Sequence, residues 1–131
     1  MTVKEFMATY YRASIDPMTN RFWSIIRPRI VCNDGFSISV QGSVNHYCNP
    51  RENLTDKAYA EVELGFPSAA DDLIADYAED DEDLTNTVYG WVPIDTVEEL
   101  VKKHGGIKGY DEEQAARMKK NCDMFSYCNW L

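Results

Sequence analysis

His46, Tyr47, Cys48, Asn49 and Arg51 stand within six residues of one another, and each carries a different reactive or recognition group. An imidazole takes up a proton near neutral pH and a thiolate is a nucleophile, so His46 and Cys48 hold the ingredients of covalent catalysis. That chemistry also needs an orienting group, and two side chains one residue apart on an extended chain share a face without having to touch. The plainer reading of the pair is the stronger one. His-x-Cys is not a usual zinc spacing, and Cys32, Cys48, Cys122 and Cys128 form no Cys-x-x-Cys, so they read as reduced, partly buried thiols and no metal site is expected. His104 directly precedes Gly105 and reads as a last-turn residue that complements a helix dipole. No glycine-rich phosphate loop, Walker pattern or metalloprotease motif occurs. The expectation is a protein that is not an enzyme and carries no cofactor.

Recognition fits these residues better than catalysis. A guanidinium offers a two-pronged fork to phosphate, and an aromatic ring offers a face to a base. Arg51 lies beside Tyr47 and Asn49, Arg27 and Arg29 flank Pro28, and the alternation of 87–92 sets Tyr89 and Trp91 on one strand face. Arg51, Arg27, Arg29, Tyr47, Asn49, His46, Trp91 and Tyr89 are the candidate ligand-binding set for an anionic nucleotide. Against this stand simpler roles: tyrosine and tryptophan commonly fill cores, and these arginines have Glu61 and Glu63 as available partners.

Charge points away from a general affinity for nucleic acid. The formal net charge is −9, and residues 61–83 hold ten of the 22 acids and none of the 13 bases. Phosphate backbones call for a basic face, so direct nucleic-acid binding is not expected. The run 71–83 suggests a different use, in which spaced carboxylates imitate phosphates and occupy a basic channel of a nucleic-acid-binding protein. A solvated loop is the plainer reading of it. No apolar run approaches the roughly 20 residues of a membrane span, and the first residues lack the pattern of an export signal, so a cytoplasmic protein is expected.

The elements that must position these groups can be read from periodicity. Val3, Phe6, Met7 and Tyr10 predict a helix over about 2–14, ended by Asp16-Pro17. Phe22 to Cys32 reads as an edge or bulged strand interrupted by Pro28. Asn33-Asp34-Gly35 predicts a tight turn into a half-buried strand over 36–44, with Phe36, Ile38, Val40 and Gly42 facing inward. Residues 59–66 alternate again, with Ala60, Val62, Leu64 and Phe66 on one face and Tyr59 with the two glutamates on the other. Ser68 reads as the N-cap of a helix whose apolar face is Leu73, Ile74 and Tyr77. Asp95-x-x-Glu98 resembles a capping box for a helix that buries Val97, Leu100 and Val101 and stops at Gly105-Gly106. A last helix is expected over 111–121, followed by an aromatic tail of Phe125, Tyr127 and Trp130. The order is α-β-β-β-α-β-α-α: a small α+β single domain, 1–131, mainly an antiparallel sheet with flanking helices. Its core spans about 27–107, and the terminal helices are extensions.

The segments DGFSISVQGSVNHYCNPR, YAEVELGFPS and TVYGWVP, with the helix ending HGGI, resemble small proteins carried by bacteriophages and prophages. Over residues 27–107 the chain is similar to the Thoeris anti-defence sponge family. The resemblance implies a non-enzymatic homo-oligomer in the host bacterial cytoplasm. Such a protein traps cyclic ADP-ribose isomers and, in some members, cyclic oligonucleotides. The alternative is an anti-CRISPR-like inhibitor that uses the acidic surface 71–83 against a host defence protein.

Overall fold

Thr2 opens the chain with a reciprocal cap: its side chain accepts from the Glu5 N–H at 3.1 Å, and the Glu5 carboxylate accepts from the Thr2 N–H at 3.2 Å. These bonds hold the Glu5 carboxyl below its ordinary range, Thr2 being the cause. The helix they start, α1, covers Val3–Thr9 and buries Val3, Phe6 and Met7. The computed structural model describes residues 1–16 and 21–125, with the side chains of 13–16, 21–23 and 119–125 left aside. Pro17, Tyr127, Cys128 and Trp130, with the sequence features built on them, lie outside the described residues.

The expected helix over 2–14 is half that length. Tyr10 turns into extended backbone, and Arg12–Asp16 becomes β1, paired antiparallel with β2, Arg21–Ile26. The apolar spacing of Val3 to Tyr10 is the helical face, but it carries no information about where the chain leaves the helix. Tyr10 still packs inward, its ring 5.0 Å from Phe6 on one side and 5.0 Å from Tyr110 on the other.

Pro28 divides what reads as one strand into two that enter different sheets. After it come β3, Ile30–Cys32, β4, Ser37–Gln41, β5, Glu61–Gly65, β6, Val88–Pro93, and β7, Ile107–Tyr110. Together they form a five-stranded sheet in the order β6-β5-β4-β3-β7, with every neighbouring pair antiparallel. Two further helices, α2 over Ile94–Lys103 and α3 over Glu112–Phe125, complete a small α+β domain of a five-stranded antiparallel sheet and three helices.

One face of the sheet is the core. Ile30, Cys32, Ile38, Val40, Val62, Leu64, Tyr89 and Val92 are buried there, against Phe6 and Met7 of α1 and Val97, Leu100 and Val101 of α2. Each such aliphatic side chain contributes about 1.5–3 kcal/mol by leaving water. The inward face expected for 36–42 is the one observed, whereas that of 59–66 is not. Val62 and Leu64 do point inward, but Tyr59 is buried and Phe66 is exposed, with φ at 50°. The expected helix after Ser68 reduces to a 3-10 turn, Ala75–Tyr77, and the Ser68 hydroxyl accepts from the Ser37 N–H at 2.9 Å.

The supposed capping box of α2 works elsewhere. Asp95 sits inside the first turn, no side chain caps the helix, and the Glu98 carboxylate accepts from the Val3 N–H at 2.6 Å. Glu98 therefore caps α1 across the molecule. Gly105 and Gly106 end α2 as expected, with φ of 88° and 86°, values that only glycine adopts without strain.

Candidate functional site

The connection from β4 to β5 carries the His46–Arg51 segment and begins as a serine turn. The Ser43 hydroxyl accepts from the Asn45 N–H at 3.0 Å and from the Ser24 hydroxyl at 3.1 Å. With both lone pairs used, its own proton goes to Nδ1 of His46, 2.5 Å away. Burial, then the charges of Arg27 and Arg51, pushes His46 down to about 4, so at neutral pH it is the uncharged tautomer with its proton on Nε2. Cys48 is 3% exposed, its thiol donates to the Ser43 carbonyl at 3.2 Å, and burial raises its pKa. This is the environment of an inert thiol, not of a thiolate paired with an imidazolium. Cys32 is buried as well, burial and then Asp34 pushing it up to about 11, and both cysteines are free thiols.

Tyr47, between half-buried His46 and buried Cys48, faces outward. Its N–H donates to Oε2 of Glu63 at 2.8 Å, and its carbonyl accepts from the Trp91 N–H at 3.0 Å. The rings of Tyr47 and Trp91 lie 5.0 Å apart at 31°, and the Arg51 guanidinium sits 5.6 Å from the Tyr47 ring centre. Among the described residues Arg51 is hydrogen-bonded only through Nε, which donates to the Val44 carbonyl at 2.9 Å, so both its Nη groups remain available. Asn49 pairs its backbone with Glu61 and leaves its side chain exposed, and the Asn49–Pro50 peptide is cis. Glu63 is half-buried, and burial raises its pKa despite the Tyr47 N–H.

The exposure of Trp91 comes from a β-bulge. Val62 pairs with Val92 and Leu64 with Tyr89, so Gly90 and Trp91 together oppose Glu63. Trp91 has φ of 51°, and the extra residue turns its indole outward to 51% exposure while Tyr89 stays fully buried. The expectation that Tyr89 and Trp91 share a face is thus corrected: the bulge separates them, and Tyr89 belongs to the core, its hydroxyl donating to the Leu84 carbonyl. At Gly90 any side chain would press on Tyr47, because a Cβ there would lie 3.4 Å from the Tyr47 Cβ.

Arg27 and Arg29 are placed away from this surface. Arg27 is 1% exposed and donates to the carbonyls of Met7, Gly42 and Leu54 at 2.8, 2.8 and 2.9 Å. Arg29 donates to Ser37 through its hydroxyl and carbonyl at 2.8 and 3.0 Å, and to the Phe66 carbonyl. Both are structural cross-braces between backbone segments. Of the eight candidate residues, Tyr47, Arg51 and Trp91 meet at the surface, Asn49 is exposed on the same connection, His46 braces the turn, Arg27 and Tyr89 are buried, and half-buried Arg29 ties Ser37 to Phe66.

A second cluster escaped the sequence reading. His104, at the end of α2, has Nδ1 2.7 Å from Asp34 and Nε2 3.0 Å from Asp71, and its ring stacks on Phe36 at 3.9 Å and 7°. Lys103 reaches the same Asp71 carboxylate at 3.0 Å. Its three segments, at Asp34–Phe36, Asp71 and Lys103–His104, are 32 residues or more apart in sequence; the turn at Asn33–Gly35 and the helix-end position of His104 were legible, but not their meeting.

The acidic stretch is a segment of turns that meets β6 at Ala78 and Glu79. The Glu79 N–H donates to the Val88 carbonyl at 2.9 Å, and Ala78 bridges to Tyr89. Asp72, Asp76, Glu79, Asp80, Asp81, Glu82 and Asp83 are exposed, and none forms an ion pair among the described residues. Among the described residues no three His, Cys, Asp or Glu side chains converge on a metal position, and no helix is long and apolar enough to cross a membrane. No protein-family model matches the chain, and neither a curated protein nor a solved structure is significantly similar to it.

Proposed function

We propose that this is a phage anti-defence protein that binds and sequesters a cyclic nucleotide immune signal in the host cytoplasm without cleaving it. The observation that carries the reading is the exposed Trp91, turned outward by a bulge with positive φ and set against Tyr47 and Arg51. A non-glycine residue at such a φ costs about 1–3 kcal/mol, and such outliers concentrate where a side chain has work to do. An indole and a phenol present faces to a base, and the Arg51 fork suits a phosphate. Asn49 adds donors and acceptors at the rim. With Arg27 buried and Arg29 engaged by Ser37 and Phe66, one chain offers a single unengaged fork here among the described residues, and a doubly charged ligand calls for more. A homo-oligomer in which a second copy closes the surface meets that need, and it agrees with the resemblance to sponge proteins.

The test is to incubate the purified protein with cyclic ADP-ribose isomers and cyclic di- and trinucleotides, remove unbound material, heat-denature it and identify what is released. Intact nucleotide released by wild type but not by Trp91→Ala supports the reading. No retained nucleotide overturns it, and a chemically altered one points to an enzyme.

A second reading rests on the exposed acidic segment, whose acids from Asp72 to Asp83 form no ion pair among the described residues: an inhibitor that occupies a basic nucleic-acid channel of a host defence protein. It requires complex formation that weakens steeply with salt and is lost when Asp80, Asp81, Glu82 and Asp83 are neutralised. A complex indifferent to both would exclude it.

A further inference from the structure

His104 adds a charged tie where three parts of the chain meet, the β3–β4 turn, the segment after β5 and the end of α2. From the β3–β4 turn comes Asp34, whose other oxygen accepts from the Phe36 N–H at 2.9 Å. From the segment after β5 comes Asp71, whose carboxylate also takes the Leu73 N–H and the Lys103 ammonium, each at 3.0 Å. The ring lies at the C-terminal end of α2, where a positive charge is favoured, and Phe36 covers one face of it. Asp34, Asp71 and Lys103 are the charged groups bonded into this cluster. Only the imidazolium has two N–H donors, so only the charged ring satisfies both carboxylates at once.

We propose that His104 is a pH-operated latch: charged, it fastens the β3–β4 turn and the segment after β5 to the end of α2; neutral, it keeps Asp71 and releases Asp34. The asymmetry follows from solvent access. The Asp71 side chain is 4% exposed and would be left poorly solvated, whereas that of Asp34 is 50% exposed and water replaces the lost bond. The turn then stays attached through the Asn33 side chain, which donates to the Gly105 carbonyl at 2.7 Å, and through the Asn33 and Asp34 N–H groups, which donate to the carbonyls of Gly106 and His104 at 3.0 and 3.3 Å, but without its charged tie.

The direction of titration agrees with the geometry. Burial opposes the charge on His104, the bonds to Asp34 and Asp71 outweigh it, and the pKa is raised. Asp34 is lowered by the Phe36 N–H and then by His104; in Asp71 burial is outweighed by Leu73, Lys103 and His104, and the pKa falls. A raised histidine stabilises fully below its unfolded value, about 6.5, and that stabilisation fades as pH rises through the folded value. Lowered carboxylates stabilise above about 3.9 and lose this as pH falls through their folded values. The latch is therefore complete in mildly acidic solution and opens toward alkaline pH.

The experiment is an NMR titration of the full chain from pH 5 to 9. It follows the His104 ring and the amide-exchange protection of Asp34 and Phe36, corrected for intrinsic exchange. The expected result is a His104 midpoint above the ordinary value, with protection at Asp34 and Phe36 falling about two- to fivefold across it. In Asp34→Asn, which retains an acceptor for Phe36, the midpoint should drop and the protection should no longer depend on pH. A wild-type midpoint at or below the ordinary value, or protection that is the same on both sides of it, overturns the latch. The wild-type measurement stands without any variant.

Discussion

Arg27 shows what a residue type does and does not reveal. Its charge invited a phosphate, yet its guanidinium serves three carbonyls from α1, the end of β4 and the 51–57 connection, over the ring of Tyr59 at 5.7 Å. Burial holds its pKa below the ordinary value, with Tyr59 acting against the shift. Replacing Arg27 with Met should destabilise the fold by about 3–5 kcal/mol, because three buried carbonyls lose their donor, and urea unfolding measures it. Gly42 is part of the same brace: a Cβ there would lie 2.7 Å from the Tyr59 ring, so Gly42→Ala should displace that ring and cost about 1–3 kcal/mol in the same assay. Arg51→Ala should leave stability nearly unchanged and weaken nucleotide retention about tenfold, as loss of one charge-assisted contact implies. A melting temperature unchanged together with undiminished retention would remove Arg51 from the site. The local cluster at 46–51 was legible because its members adjoin in sequence. The fate of Arg27 and Arg29 was not, since burial is decided by segments far away.

Among the elements, the bulge in β6 is the one that sequence pattern could not supply. Alternation over Val88–Pro93 places Tyr89 and Trp91 together, and one extra residue against Glu63 sends them to opposite sides. Trp91→Gly should relieve about 1–3 kcal/mol of backbone strain while forfeiting about 0.5–1.5 kcal/mol of ring contact with Tyr47. The net change in unfolding free energy should be near zero or stabilising, with nucleotide retention lost; a large destabilisation would show that the indole is structural. Strands β4 and β5 and helix α2 were legible in outline because their apolar periods are strong and their ends carry turn residues. Strands β1 and β7 were not: Arg12–Asp16 follows directly on the helical face of Val3 to Tyr10 and was absorbed into it, Ile107–Tyr110 offers only four residues, and pairing with β2 and β3 decides both. Glu98 gives the same lesson at a helix end: its spacing from Asp95 suggested a local cap, and its partner is Val3, 95 residues away.

For the molecule as a whole, the dominant global property is its uneven charge. Seven exposed acids follow one another between Asp72 and Asp83 with no ion-pair partner among the described residues, in a chain of net charge −9. Their mutual repulsion opposes the compact state, so the melting temperature should rise between about 0.01 M and 0.15 M salt as the screening length shrinks from about 30 to 8 Å. A variant with Asp80 and Asp81 changed to Asn should show a smaller rise. The acidic segment has a further consequence through its hydrogen bonds to β6. A sheet edge with unpaired backbone groups is a template for other chains, and at β6 the Glu79–Val88 bond and the Ala78–Tyr89 bridge occupy that template with a segment bristling with carboxylates. The other edge of this five-stranded sheet is β7, four residues carrying Lys108, so a strand from outside that extended this sheet there would meet a short, charged edge.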